Sequence, residues 1–423
     1  MNRGFESRSA DWLSVDEALD RILESARPLA PEEVQLSEAL GRALAQDVLA
    51  EASLPPWDNS AMDGFAVRAS DIAAASASAP VELRVTGRVR AGEPADVQVA
   101  PGEAVRIMTG APIPSGADSV VRVEDTDGEA NSGLVRIQDA RDAGQNVRPM
   151  GRDMRPGQLL VPRGATVTAG TVGAIAAGGR SRVLVGRMPS VAVLTTGDEL
   201  RGPDRFEDVK AGVGIPDSNG PMLAAMAVEV GASPVELPTA PDHPDALRGL
   251  IDRAASADVL VTVGGASMGE ADLVKRVLDE MGYEPDFWRV RMRPGSPVGY
   301  GTLPRGDRVQ PVFSLPGNPS SAFVTFEVFV RPFLLAMGGH ARWRRRTIRC
   351  AVGEPLRTPA RLTHFLRVSV EGDGAEAVAR PCGSQSSGLV GGLAKADGLA
   401  IVPEEAAAVE VGQEVDVMLI RGP

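Results

Sequence analysis

At 423 residues the chain is too long for one hydrophobic core, and about two to four domains are expected. Its 43% hydrophobic and 24% charged residues are ordinary for a soluble protein, and a net charge of −12 argues against general nucleic-acid binding. Two cysteines, Cys350 and Cys382, build neither a disulfide framework nor a structural zinc site, and three histidines (His243, His340, His364) exclude a His-rich metal centre.

Met1 to Asp11 is polar and lacks the apolar core of a signal peptide. No stretch reaches the roughly 20 apolar residues of a membrane helix. The nearest, Ala322 to Met337, carries Glu327, Arg331 and Pro332. A cytoplasmic protein with no membrane or nucleic-acid partner is expected.

In chain order, Ser14 and Glu17 have capping-box spacing and predict a helix to about Ala26. A second short helix is predicted over Leu36 to Leu49, capped by Ser37, and Pro55-Pro56 ends this region. DNSAMDGFAV (Asp58 to Val67) follows, with Asp63-Gly64 as a tight turn that presents a carboxylate or leads into a strand. From Val81 to Asp139, short β-branched segments separated by Gly, Pro and Asp predict a small β domain. Asp153 lies between two arginines in GRDMRPGQ, a pattern that also suits a solvated turn. Gly157 to Val185 reads as a strand and a helix (Thr168 to Gly178) returning to the N-terminal elements.

Ser190 to about Gly338 alternates strands and helices, which implies a parallel sheet with helices on its faces. SVAVLTTG, DVLVTVGG and PVFSLPG are the buried strands, and Asn318 caps a helix with Pro319 at its first position. Ligands of such sheets bind beyond the carboxyl ends of the strands. The loops there, TTGDEL, GGASMG and PGNP, are expected to converge on one cleft. From Gly339 onward a β pattern returns and predicts a small β-barrel.

The loop after DVLVTV suits an anion. Gly264 and Gly265 let the backbone approach a ligand. Ser267 and Glu270 have capping-box spacing, so a helix starts at Met268 and its free N–H groups favour phosphate. Asp272 falls near the first turn. A phosphate grip beside a carboxylate points to a phosphorylated or nucleotidylated substrate with a divalent metal. The loop lacks the GK[ST] of a P-loop and the spacing of a dinucleotide fingerprint. In TTGDEL, Thr195 and Thr196 can contact an anion, and Glu199 can position a metal or water. An acidic helix start, favoured by the helix dipole, accounts for the same residues. Arg289, Arg291 and Arg293 alternate in FWRVRMRPG, and on a strand they share one face, suited to phosphate or left exposed. The run RWRRRTIR (Arg342 to Arg349) reads as a solvated linker face.

DNSAMDGFAV, RIMTGAPIP, TTGDEL, DSNGPML, GGASMGEAD and SLPGNPSSA occur in this order, and the chain resembles the molybdopterin molybdenumtransferase family from about Trp12 to Ile420. That family comprises MoeA in bacteria and the gephyrin E domain in animals. The resemblance implies a multidomain α/β plus β fold. An elongated helical domain (1–56 and 140–187) and an inserted β domain (57–139) would precede an α/β molybdopterin-binding domain with a mostly parallel sheet (188–338). A C-terminal β-barrel domain (339–423) would follow.

The resemblance further implies a homodimer that inserts molybdenum from molybdate into adenylylated molybdopterin and releases AMP, with Mg²⁺. Other molybdenum cofactor synthesis proteins would be its partners. Carried across motif by motif, Asp63, Asp153, Glu199 and Asp272 are the expected chemical residues, with Glu199 and Asp272 handling the metal. Thr109, Thr195, Gly264, Gly265, Ser267, Asp242, Arg289, Arg293 and Ser387 are the expected substrate contacts, while Pro316 and Pro319 shape a loop.

The chain departs from the family in three places. Arg152 stands where the GED motif has Glu, Ser296 where PGKP has Lys, and Gly391-Gly392 where Ser-Ser is usual. With Ser296 uncharged, Arg289 and Arg293 are expected to dominate a rearranged oxyanion cluster. The alternatives are a molybdopterin adenylyltransferase, whose loop is generally GGTG where this chain has GGAS, and a non-enzymatic molybdopterin-binding scaffold.

Overall fold

The computed structural model describes residues 12–128, 133–264, 273–359 and 361–421. The first helix, Val15–Ser25, has the expected capping box. The Ser14 hydroxyl accepts the Glu17 N–H at 3.2 Å, and the Glu17 carboxylate accepts the Ser14 N–H at 2.7 Å. Its buried residues Ala18, Leu19 and Ile22 pack into the same core as Val191, Val259 and Phe333.

The predicted helix over Leu36 to Leu49 does not form. The segment holds a 3₁₀ turn, Leu36–Glu38, and a short strand, Val48–Leu49. Gly41 takes a φ of 80°. The N–H groups of Gly41, Leu44 and Ala45 donate to the carbonyls of Val167, Ala165 and Leu184. Tertiary partners outcompete the helical ones here, as they often do where propensity is only moderate. Pro31–Gln35 pairs with Arg182–Gly186, and Val48–Leu49 pairs with Leu159–Val161. One small core, from Leu36 and Leu44 to Ile175 and Val185, therefore joins two stretches far apart in sequence.

Between those stretches lies a five-stranded sheet. Its order is Ser119–Arg122, Gly64–Val67, Glu103–Ile107, Val81–Val89, Leu134–Ile137. Gly64 is required by proximity, because a Cβ there would stand 1.9 Å from the Val121 carbonyl oxygen.

The α/β unit has a six-stranded sheet: Ser233–Val235, Ser190–Thr195, Val259–Val263, Arg308–Leu315, Gly299–Arg305, Glu284–Phe287. The first four pair in parallel, and the last two are added by antiparallel pairings, so only Gly299–Arg305 runs against the rest. Alternate residues serve opposite cores, since strand period is two. Val191, Val193, Val259 and Val261 face helices Asn219–Glu229 and Pro319–Thr325. Ala192, Leu194 and Leu260 face helices Pro244–Arg253 and Leu273–Glu280.

The helical stretch Pro319–Met337 is long and apolar enough to cross a membrane by composition, yet it is mostly buried inside the protein. Its middle, Phe326–Val330, widens to π spacing, with the Arg331 N–H reaching the Phe326 carbonyl. Pro332 has no N–H to give Val328, which explains the local change of spacing. Glu327 is fully enclosed and accepts two bonds from Arg345, at 2.9 and 3.0 Å. The run RWRRRTIR is therefore not simply a solvated linker. Arg345 is a buried ion-pair partner, and Thr347–Val352 is the first strand of the C-terminal unit.

That unit is a closed barrel. Thr363–Glu371 pairs with Val378–Pro381, then Thr347–Val352, Glu414–Leu419 and Gly398–Val402 follow, and the last pairs back to Thr363–Glu371.

FWRVRMRPG is not one strand. The strand stops at Phe287, Val290 makes an isolated bridge to Leu13, and strand pairing resumes at Met292–Arg293, which joins the barrel beside Thr363 and His364. Between them the Val290 N–H donates to the Ser296 carbonyl and the Arg291 N–H to the Leu13 carbonyl. This turn breaks the alternation, so the three arginines diverge. Arg289 lies over the Trp12 ring at 5.0 Å, Arg291 pairs with Glu404 at 3.0 Å, and Arg293 faces the barrel.

Candidate functional site

Thr195, Val263 and Leu315 stand opposite one another in the parallel register, so three strands end at one level. The chain leaves each strand into a loop, and all three loops line one cavity of about 800 Å³. Thr195, Thr196, Gly197 and Glu199 supply one side, Gly264 the middle, and Pro316, Gly317 and Asn318 the other; Asp242 and Arg289 complete the wall. Gly264 has a φ of 107°, and a Cβ there would stand 2.7 Å from the Thr196 hydroxyl. Gly197 leaves room for the Glu199 carboxylate, which a Cβ would meet at 2.6 Å.

The side chains differ in how free they are. The Thr195 hydroxyl donates to Asp217 at 2.7 Å, and Asp217 also accepts from Thr239 at 3.2 Å and the Gly220 N–H at 3.0 Å. Thr195 thus anchors a strand end to the start of helix Asn219–Glu229. Asp198 and Asp242 bind each other's backbone: Asp242 N–H to Asp198 at 3.1 Å and Asp198 N–H to Asp242 at 3.4 Å. Asn219, 8% exposed, donates to the Gly317 carbonyl at 2.7 Å and clamps the PGNP loop. Asp217, Thr239 and Asn219 were not singled out from the sequence. Only the DSNGPML motif pointed near them, and its contacts span distant loops.

A second cavity, of about 930 Å³, adjoins the first and shares Pro297, Pro316 and Asn318 with it. Arg293 and Ser387 lie there, not with Arg289. Asn318 begins the helix at Pro319 as expected, but its side chain does not cap it. The amide instead donates to the Ser387 hydroxyl at 2.9 Å. The Ser296 hydroxyl is committed to the Val290 carbonyl at 2.9 Å. Arg367, 2% exposed, was missed by the sequence reading. Its guanidinium holds the 384–389 loop through the carbonyls of Ser384 at 2.7 Å and Leu389 at 2.8 Å.

Other expected site residues lie elsewhere. Asp63 lies in the bend just before strand Gly64–Val67 of the inserted sheet, where it accepts the Thr109 N–H at 2.6 Å and the Thr109 hydroxyl at 2.8 Å. Those two bonds, the backbone one first, hold the Asp63 carboxyl below the usual carboxylate range. Thr109→Val removes the hydroxyl bond alone and is expected to raise the Asp63 pKa part of the way back. A ¹³C NMR titration of the carboxyl carbon reads this, and an unchanged midpoint would contradict it. Asp153 lines a separate cleft with Arg148 and Arg152. Gly265, Ser267 and Asp272, with the expected helix start at Met268, lie outside the described residues.

The arrangement matches known proteins along the whole chain. Family profiles described as "MoeA N-terminal region (domain I and II)", "Probable molybdopterin binding domain" and "MoeA C-terminal region (domain IV)" match residues 13–179, 192–336 and 349–420. A molybdopterin molybdenumtransferase of Bacillus subtilis is 34% identical, over 97% of this chain and 94% of its own. Molybdopterin molybdenumtransferase 2 of Mycobacterium tuberculosis is 37% identical, over 96% of this chain and 98% of its own. Among solved structures, a molybdopterin biosynthesis moeA protein from Pyrococcus horikoshii superposes with a TM-score of 0.83 at 26% identity, covering 97% of this chain and 100% of that one. Profiles, relatives and architecture agree, and the chain belongs to the molybdopterin molybdenumtransferase family, the MoeA proteins of bacteria.

Proposed function

We propose that the chain is the enzyme that transfers molybdenum from molybdate to adenylylated molybdopterin, giving molybdenum cofactor and AMP. The observation that carries this is the level ending of three strands around one cavity, with Gly264 giving close backbone access beside Glu199, Asp242 and Arg289. A pyrophosphate-linked substrate brings several negative charges into a wall that already holds two carboxylates and one guanidinium. Arg289 would face phosphate oxygen, and Gly264, with no Cβ, would let the substrate stand close to the backbone. Arg293 and Ser387, across the shared wall, suit a second oxyanion.

Mg²⁺ belongs to this proposal. Among the described residues no three His, Cys, Asp or Glu side chains gather as a metal site. Glu199 and Asp242 nevertheless line the same cavity. Two hard oxygen donors, short of a full shell, fit an ion that takes one or two carboxylates and completes its coordination with water and substrate phosphate. Bound there, it would neutralise charge at the bridging phosphates. Glu199 would hold it, Arg289 would orient the phosphates, and the Asp217–Thr195–Asn219 contacts would keep the loops in place. A homodimer in the cytoplasm, working with other molybdenum cofactor synthesis proteins, completes the reading.

The test is AMP release by the purified protein from adenylylated molybdopterin and Mg²⁺, with and without molybdate. Molybdate-dependent AMP release is expected. ATP consumption with molybdopterin alone would make the protein an adenylyltransferase, and tight binding without AMP release would make it a scaffold.

A further inference from the structure

Among the described residues, the wall of the strand-end cavity carries one guanidinium, that of Arg289. Its two neighbours in the motif are engaged elsewhere, Arg291 with Glu404 at 3.0 Å and Arg293 in the second cavity. No hydrogen bond or ion pair among the described residues holds the Arg289 guanidinium. What lies against it is the indole of Trp12, with the Arg289 Cζ 5.0 Å from the ring centroid.

The backbone beneath Trp12 is itself fixed. Leu13 bridges Val290 in parallel, and the Arg291 N–H donates to the Leu13 carbonyl at 2.8 Å. The Arg291 guanidinium donates to the Trp12 carbonyl. Ser14 then caps the first helix. Residues 12–13 therefore run beside 289–291, and the bonds that place them there use backbone atoms of Trp12 and Leu13. Exchange of the Trp12 side chain leaves those bonds in place.

We propose that Trp12 is a positioning residue, whose ring holds the Arg289 guanidinium ready for the phosphate groups of the substrate. The inference rests on the transferase reading for the identity of that substrate. A long side chain with no restraint gives up rotamer freedom when it grips a ligand, and that loss weakens binding. The face of an indole attracts a guanidinium through the ring quadrupole. This contact uses none of the guanidinium N–H groups in hydrogen bonds, so the fork stays open to phosphate oxygen. Part of the ordering cost is thus met by the fold before the substrate arrives.

Calorimetric titration of the full chain with inorganic pyrophosphate at pH 7 tests it. Trp12→Leu is expected to weaken pyrophosphate about tenfold, the order of effect of one ring–guanidinium contact. Trp12→Phe keeps a ring and is expected to stay within about threefold of the parent. In an Arg289→Ala background, Trp12→Leu is expected to add nothing, because the two residues act as one unit. A second readout needs no ligand. The Arg289 Nε–H proton is expected to resonate upfield of ordinary arginines, under the indole ring current, and to return to the ordinary position in Trp12→Leu. Pyrophosphate binding that depends on Arg289 but is unmoved by Trp12→Leu would overturn the proposal and leave the transferase reading standing. Equal weakening with and without Arg289 would make Trp12 purely structural and sink the proposal too. Absence of pyrophosphate binding would also refute it, and molybdate-dependent AMP release then judges the transferase reading separately.

Discussion

Replacing Glu327 with Ala is expected to destabilise the protein by about 3–5 kcal/mol, the range for removing one partner of a buried ion pair. The Glu327 side chain is 2% exposed and the Arg345 side chain 10%. Arg331 approaches the same carboxylate at 3.9 Å. Burial, and then the charge of Arg345, already pushes Arg331 down to about 10. Without Glu327, two largely enclosed guanidiniums would face each other after losing the carboxylate they share, beside the helix that fills one face of the α/β sheet. Urea denaturation followed by tryptophan fluorescence measures the loss. Asp16→Ala is the contrast, because its pair with Arg344 is solvent-exposed, and such pairs contribute at most about 1 kcal/mol. Equal losses in the two variants would mean that enclosure of the Glu327 cluster contributes nothing special.

Glu199→Gln is expected to lower AMP release by about 100-fold, equivalent to about 2.7 kcal/mol at the transition state. The exchange keeps shape and removes one negative charge from the cavity wall. Substrate binding measured without Mg²⁺ is therefore expected to hold or tighten, while the Mg²⁺ concentration needed for half-maximal rate rises. A purely structural role would lower stability and affinity together. Unchanged turnover and unchanged Mg²⁺ dependence would remove Glu199 from the proposed chemistry. The opposite signs expected for binding and turnover make the result readable without a structure of the complex.

Local signals were legible where the deciding contacts are local. The Ser14 and Glu17 capping box is made by residues three apart, and its helix formed as expected. The strand-end loops could be anticipated because parallel strands in register must end together, and TTGDEL, the Gly264 loop and PGNP all follow such strands. Leu36 to Leu49 failed because its N–H groups find carbonyls more than a hundred residues away, at Val167, Ala165 and Leu184. FWRVRMRPG failed because alternation predicts a shared face only while the strand continues, and the Val290–Ser296 turn interrupts it.

The amino-acid order by itself determined the family motifs, the strand–helix alternation and the glycine that lets backbone approach a ligand, since each rests on near neighbours and on backbone sterics. Only the tertiary structure decided the rest. It sent Arg289, Arg291 and Arg293 to three different walls, left Asp63 and Asp153 outside the strand-end cavity, and recruited Asp217, Asn219 and Arg367. The reason is physical. Which way a side chain faces, and which partner satisfies it, depends on segments brought together by burial of a common core, and spacing along the chain does not encode that meeting.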